Sequence, residues 1–283
     1  MSGPRDPLQN LLPLTLFTVW WICFPVLQAL LGDLWCWINP WDGPVQIVFK
    51  GRSYKKLPHQ VGVWPAIISF SLAAVYTLTD LAPDDPDRLA WVASGYWLFT
   101  FAMCGVFGKD WLHRGEGFTV FFDLLAQLSP LRTSPFGMRL PGQAIIAQAP
   151  RGLSVALFAV VMLALGSFDG LNETFWWMSQ LGINPLEFPG RSAIVWQNRF
   201  GMFGAIALLT VGFAACVWVG LALIGRTALF KNMFCHLSLS LLPIALGYHL
   251  AHFLTTAMVN LQYFFAALND PFENGAALLG WDS

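Results

Sequence analysis

Two histidines at i and i+3, in Gly247-Tyr248-His249-Leu250-Ala251-His252, are the residues of this chain best suited to chemistry. On a helix that spacing sets them on one face, about one turn apart. An imidazole can ligate a metal or carry a proton, and a carboxylate beside it fixes its tautomer and orientation. Two histidines with one or two carboxylates make a site for zinc, manganese or iron. The carboxylates expected within reach are Asp80, Asp169 and Glu173. In this reading His249, His252 and Asp80 hold a divalent metal such as Zn or Mn, and Asp169 or Glu173 serves as the catalytic carboxylate. The metal would lower the pKa of its bound water toward about 7 and stabilise charge on the oxygens of a substrate. The alternative for each histidine is a hydrogen bond that ties helices together. H-x-x-H also lacks the Glu that makes H-E-x-x-H a protease signature.

The element that carries the pair has an unusual composition. From Asn232 to Asn269 there is no Asp, Glu, Lys or Arg, yet three of the five histidines lie there. Fully helical, the run is about 57 Å long at roughly 1.5 Å per residue, against a bilayer core of about 30 Å. The whole chain agrees, with 56% hydrophobic and only 11% charged residues and a mean hydropathy of +0.58. A soluble domain carries roughly 25% charged residues. Ionisable groups at membrane depth face a bundle interior or a wet cavity, which is why the histidine pair stands out.

Six apolar segments emerge, at about 11–31, 62–82, 89–107, 152–168, 200–225 and 233–264. They predict an all-α protein: a polytopic transmembrane helix bundle of about six spans plus short interfacial helices, forming a single transmembrane domain over 1–283. Pro243 inside the last segment predicts a kink. With Asn232 at one face, His249 lies about 25 Å and His252 about 30 Å along the helix. Asp80 follows the second span and Asp169 and Glu173 follow the fourth, so all three are expected at that same far end. His236 is near the opposite face and about 220° around the helix from His249 at 100° per residue. It is expected to stand apart.

Basic residues sort by alternate loops. Lys50, Arg52, Lys55 and Lys56, then Lys109, Arg114, Arg132, Arg139 and Arg151, then Arg226 and Lys231 share one side, against Arg5, Arg88, Arg191 and Arg199 on the other. The positive-inside rule places the larger set in the cytoplasm and both termini outside. No basic block resembles a nucleic-acid surface, and no phosphate loop, dinucleotide fingerprint or G-x-S-x-G occurs. Met1 to Asn10 lacks the basic start and cleavage pattern of a signal peptide, so 11–31 reads as a span. The five cysteines show no C-x-x-C and read as small hydrophobes.

Two connections carry more than linker character. Gly117 to Pro130 has helical periodicity with Asp123 and Gln127 on one face, which predicts an amphipathic helix lying at the interface. Leu171 to Ser192 predicts a short outer helix and an ordered turn, with Trp176 and Trp177 as interface anchors. His113 and Glu116 are expected on a solvated, charged loop surface.

Several blocks in consistent order resemble the bacterial integral-membrane family known as fenitrothion hydrolase. They are Gly32-Asp33-Leu34-Trp35 with Asn39-Pro40, Gly115-Glu116-Gly117-Phe118 running to Leu128-Ser129-Pro130, Phe168-Asp169-Gly170, Gly182-Ile183-Asn184-Pro185, Leu242-Pro243 through His252, and Asp270-Pro271-Phe272. The resemblance implies a multi-pass protein of the bacterial inner membrane, in contact with lipid and with another membrane or periplasmic subunit. It also implies hydrolysis of an aryl phosphorothioate triester. Two other classes stay open: a non-enzymatic membrane subunit or permease, and a haem or quinone protein.

Overall fold

The computed structural model describes residues 3–133, 136–147, 151–187, 190–275 and 277–280. Its long helices are α1 (Leu11–Leu31), α4 (Trp64–Thr79), α5 (Pro86–Phe107), α9 (Leu153–Asn172), α11 (Val195–Leu223) and α13 (Leu241–Asn269). Between them lie the short helices α2 (Trp35–Ile38), α3 (Asp42–Phe49), α6 (Lys109–Arg114), α7 (Gly117–Ala126), α8 (Gln143–Ala147), α10 (Phe175–Gln180) and α12 (Phe230–Leu237). A small hairpin pairs β1 (Leu131–Thr133) with β2 (Phe136–Met138), Leu131 opposite Met138.

The protein is an all-α polytopic bundle. Five helical stretches among the described residues are long and apolar enough to cross a membrane: α1, α5, α9, α11 and the run Thr227–Asn269 that holds α12 and α13. The sixth expected span, 62–82, is realised as α4, which has 16 residues and so a length of roughly 24 Å. Gly62 at positive φ and Pro65 set its start, and the chain leaves the helix at Asp80. The 43-residue final run breaks at a 3₁₀ turn over Ser238–Ser240. Pro243 then sits in the first turn of α13, where its missing N–H is no loss.

Helix α1 is wound as a π-helix over Leu14–Cys23, and the Phe24 amide donates to the Val19 carbonyl five residues back. Pro25 accounts for the disturbance. It lacks an N–H, and its ring crowds the carbonyl of residue 21, the acceptor it would otherwise serve.

The expectation for α7 is corrected. It is no interfacial helix but a buried one: Phe122 and Leu124 are wholly inaccessible, and α7 packs on α1 and α4. Asp123 alone in its middle faces out, toward Arg151 at 3.2 Å. The bundle closes around it with α9 packed on α11, α13 and α4, and α1 on α13.

The loops meet at two ends. The Lys55 amide donates to the Val106 carbonyl, and Arg114 donates to the carbonyls of Leu57 and Pro58. At the opposite end Arg88 pairs with Asp80, Arg191 donates to the Asp80 carbonyl, and Arg199 donates to Thr79. Lys55 and Arg114 of the larger basic set thus fall at one end, and Arg88, Arg191 and Arg199 of the smaller set at the other.

Candidate functional site

Asp169 and Glu173 stand four residues apart at the end of α9, on the face that meets α13. Together with His249 and His252 they line a cavity of about 960 Å³ between α1, α4, α5, α9 and α13. Most of its wall is aromatic or aliphatic, including Trp20, Trp21, Phe121 and Trp97, and Arg191, Thr256 and Asn260 are among its polar lining. A cleft of this kind, apolar with a few convergent polar groups, is the usual form of a small-molecule site.

His252 Nε2 lies 3.4 Å from Asp169 Oδ2, the two side chains 23% and 17% exposed. Tyr248 stacks on the His252 ring at a centroid distance of 6.0 Å. Gly170 makes that stack possible, since a Cβ there would sit 2.0 Å from the Tyr248 hydroxyl and 3.6 Å from His252 Nδ1. This is the physical content of the Asp169-Gly170 pair: a carboxylate for the imidazole and space for its neighbour.

His249 is turned toward α1 instead. Its Nε2 is 3.1 Å from the Trp21 carbonyl, and its ring stands edge-on to Trp21 at 5.4 Å. A carbonyl only accepts, so Nε2 carries the proton. His236 lies on α12, beyond the 3₁₀ break at Ser238–Ser240, and does not line the cavity; with the run broken there, its phase on a straight helix does not apply.

Asp80 does not join the histidines. Its carboxylate is taken by Arg88 at 2.7 Å and by the Ala82 amide. Its backbone carbonyl holds Arg191, which does line the cavity. Among the described residues no three His, Cys, Asp or Glu side chains converge on one point as a metal shell. The donor set gives a reason: His249 Nε2 is spent on a carbonyl and His252 Nε2 on Asp169. Both cavity histidines also lie on one helix, a poor arrangement for opposite axial ligands of a haem.

A second polar cluster went unread in the sequence. Glu116, expected on a solvated loop with His113, is fully buried, while His113 is exposed. Glu116 caps α7: one carboxylate oxygen accepts from the Phe118 amide at 2.9 Å and from the Tyr96 hydroxyl. The other accepts from the Thr119 amide at 2.6 Å and the Thr119 hydroxyl at 2.5 Å. Thr119 Oγ1 in turn accepts from Trp35 Nε1 and Asn39 Nδ2. Gln28 completes the cluster, its oxygen accepting from the Leu34 and Trp35 amides and its nitrogen donating to the Phe122 carbonyl. Carboxylate at a helix N-terminus also meets the positive end of the helix dipole. The signal was available: an acid directly before an apolar helical run is an N-cap pattern.

Gly115 and Gly117 flank Glu116 for steric reasons. A Cβ at Gly117 would lie 2.7 Å from the Phe70 amide nitrogen, and one at Gly115 would strike the Trp111 ring at 2.5 Å. Trp177, expected as an interface anchor, instead donates from Nε1 to Asn198 at 2.9 Å and packs on Phe168, whereas Trp176 is exposed. All five cysteines are free. Cys104 and Cys235 are buried, whereas Cys36 and Cys216 are exposed. No family model, curated protein or solved structure matches the chain.

Proposed function

We propose that this chain is a membrane-embedded hydrolase component that takes an apolar, ring-bearing ester into the cavity and activates water with His252, held by Asp169. The observation that carries the reading is the His252–Asp169 contact at the polar end of an aromatic-walled cavity. Asp169 accepts from Nε2–H, which leaves Nδ1 to take a proton from water. The water oxygen attacks the phosphoryl or acyl centre, the ring-bearing oxygen departs, and the proton on His252 passes to it. Arg191 supplies positive charge for the oxygen that gains charge in the transition state. Glu173 lines the same wall and steers the mouth electrostatically. The resemblance to fenitrothion hydrolases supports the same class, with an aryl phosphorothioate triester as the assay substrate. It also supports residence in a bacterial inner membrane beside a further subunit.

The test uses the protein in lipid nanodiscs with a nitrophenyl phosphorothioate triester, following release of nitrophenolate. Asp169→Asn and His252→Gln are each expected to lower kcat/KM by about 100-fold or more, the usual range for general acid–base groups. His236→Ala should leave turnover near the parent value. Equal turnover in all three variants overturns the reading. Chelation is a separate arm: loss of turnover with EDTA, restored by Zn or Mn, would return the metal-assisted form in which His249 and His252 ligate.

A further inference from the structure

We infer that His249 is a ligand-reading residue whose Nδ1 accepts a hydrogen bond from a hydroxyl group carried on an apolar ring seated in the cavity. The inference starts at Pro25. Having no N–H, Pro25 cannot close the α-helical bond to the Trp21 carbonyl. That carbonyl is met instead by His249 Nε2 at 3.1 Å. The Ile22 backbone also lies within hydrogen-bonding reach of the imidazole. Because carbonyls can only accept, the proton sits on Nε2, which faces Trp21, and the other ring nitrogen, Nδ1, is left as an acceptor.

The imidazole is held in place as well as in tautomer. Trp21 stands edge-on to it at 5.4 Å and Phe253 packs against it at 4.9 Å. The ring forms part of the cavity wall between aromatic surfaces. Apolar rings fit that wall by stacking and edge contacts. What Nδ1 adds is a demand for a donor. A ring-bearing hydroxyl satisfies it, whereas the O-methyl analogue has no donor and leaves Nδ1 unpaired in a desolvated place. Sites built to hydrogen-bond a hydroxyl reject analogues lacking it far more strongly than they reject a missing methylene.

This deepens the reading of the cavity as the ligand site, and rests on that reading but not on the hydrolytic step. A ring alcohol is the group such a hydrolysis would release and the ester itself carries no donor, so the contact would form with the departing product and not with the bound ester.

Direct binding tests it. Wild-type protein in nanodiscs is titrated with 4-phenylphenol and with 4-methoxybiphenyl, following tryptophan fluorescence and subtracting partition into empty nanodiscs. The phenol is expected to bind about tenfold tighter or better. His249→Phe should bring the two within about twofold while the methoxy compound still binds. Equal affinities in the wild type, or undiminished preference in folded His249→Phe, overturn the inference. Should His249→Phe fail to fold, His249→Gln decides. Its amide nitrogen can still donate to Trp21 and its oxygen can accept, so the preference should persist, and its loss counts against the inference. Asp169→Asn run in the same titration should keep the preference. A failed hydrolysis assay therefore leaves this result standing, and a failed titration leaves the hydrolysis result standing.

Discussion

At the scale of single residues, the buried carboxylate of Glu116 and the crowded Gly170 are the positions where one atom decides most. Glu116 collects two backbone amides and two hydroxyls, from Phe118, Thr119 and Tyr96. Removing it strands those donors inside the bundle, and each unsatisfied buried group costs about 1–3 kcal/mol. Glu116→Ala should therefore destabilise the protein by roughly 3 kcal/mol or more. A thermal melt in detergent would show it as a lower midpoint, and Glu116→Gln, whose amide oxygen still accepts, should recover part of the loss. A melt for Glu116→Ala that coincides with the parent would mean that the cluster does not hold α7. Gly170→Ala belongs to the same scale but to the other cluster. Its Cβ would collide with the Tyr248 hydroxyl, so the expected result is lowered turnover with insertion preserved, as the Tyr248–His252 stack is pushed open.

At the scale of elements, five of the six expected spans were legible because a run without charge has few alternatives, and depth placed Asp80, Asp169 and Glu173 alike at the histidines' end without choosing between them. The acids expected near the histidines divide on a physical ground. Asp169 lies on a helix face packed against α13 and reaches His252, while Asp80 lies just past the end of α4, where Arg88 is nearer. Helix α7 was misread because a short, mostly apolar helix with Asp123 and Gln127 on one face suits an interface and a buried site equally well, and periodicity cannot separate them. Its burial depends on Trp35 meeting Thr119 across 84 positions and Gln28 meeting Phe122 across 94. Contacts so distant leave no local pattern. The π-helical winding of α1 was equally hidden, although Pro25 marked the place. Pro25→Ala offers a test at this scale. A restored amide at residue 25 can bond the Trp21 carbonyl in α-helical fashion and relax the winding. The melting midpoint should hold or rise while the preference for 4-phenylphenol over its methyl ether weakens, the usual opposition of stability and a strained site. An unchanged preference together with an unchanged midpoint would show that the winding has another cause.

At the scale of the whole molecule, the two ends of the bundle are chemically distinct, and that difference sets which compartment the cavity's polar end serves. At one end the Lys55 amide bonds Val106 and Arg114 bonds Leu57 and Pro58, and at the other Asp80 meets Arg88 and Arg191 while Arg199 meets Thr79. Arg191 and the nearby Asp84 also border the cavity, so the polar groups of the site belong to the less basic end. If the basic end is cytoplasmic, as the positive-inside rule has it, water and a released product would exchange with the outer side, while an apolar substrate could arrive through the bilayer. The prediction is made with a variant whose five native cysteines are replaced, because Cys36 and Cys216 are exposed and would report on their own. A cysteine introduced at Asp84 should react with a membrane-impermeant maleimide added outside intact cells, and one at Lys55 should react only after the membrane is opened. The reverse pattern would turn the site toward the cytoplasm. Labelling of both from outside would mean that the loops holding Lys55 and Asp84 share one face, and that α4 with its 16 residues does not carry the chain across.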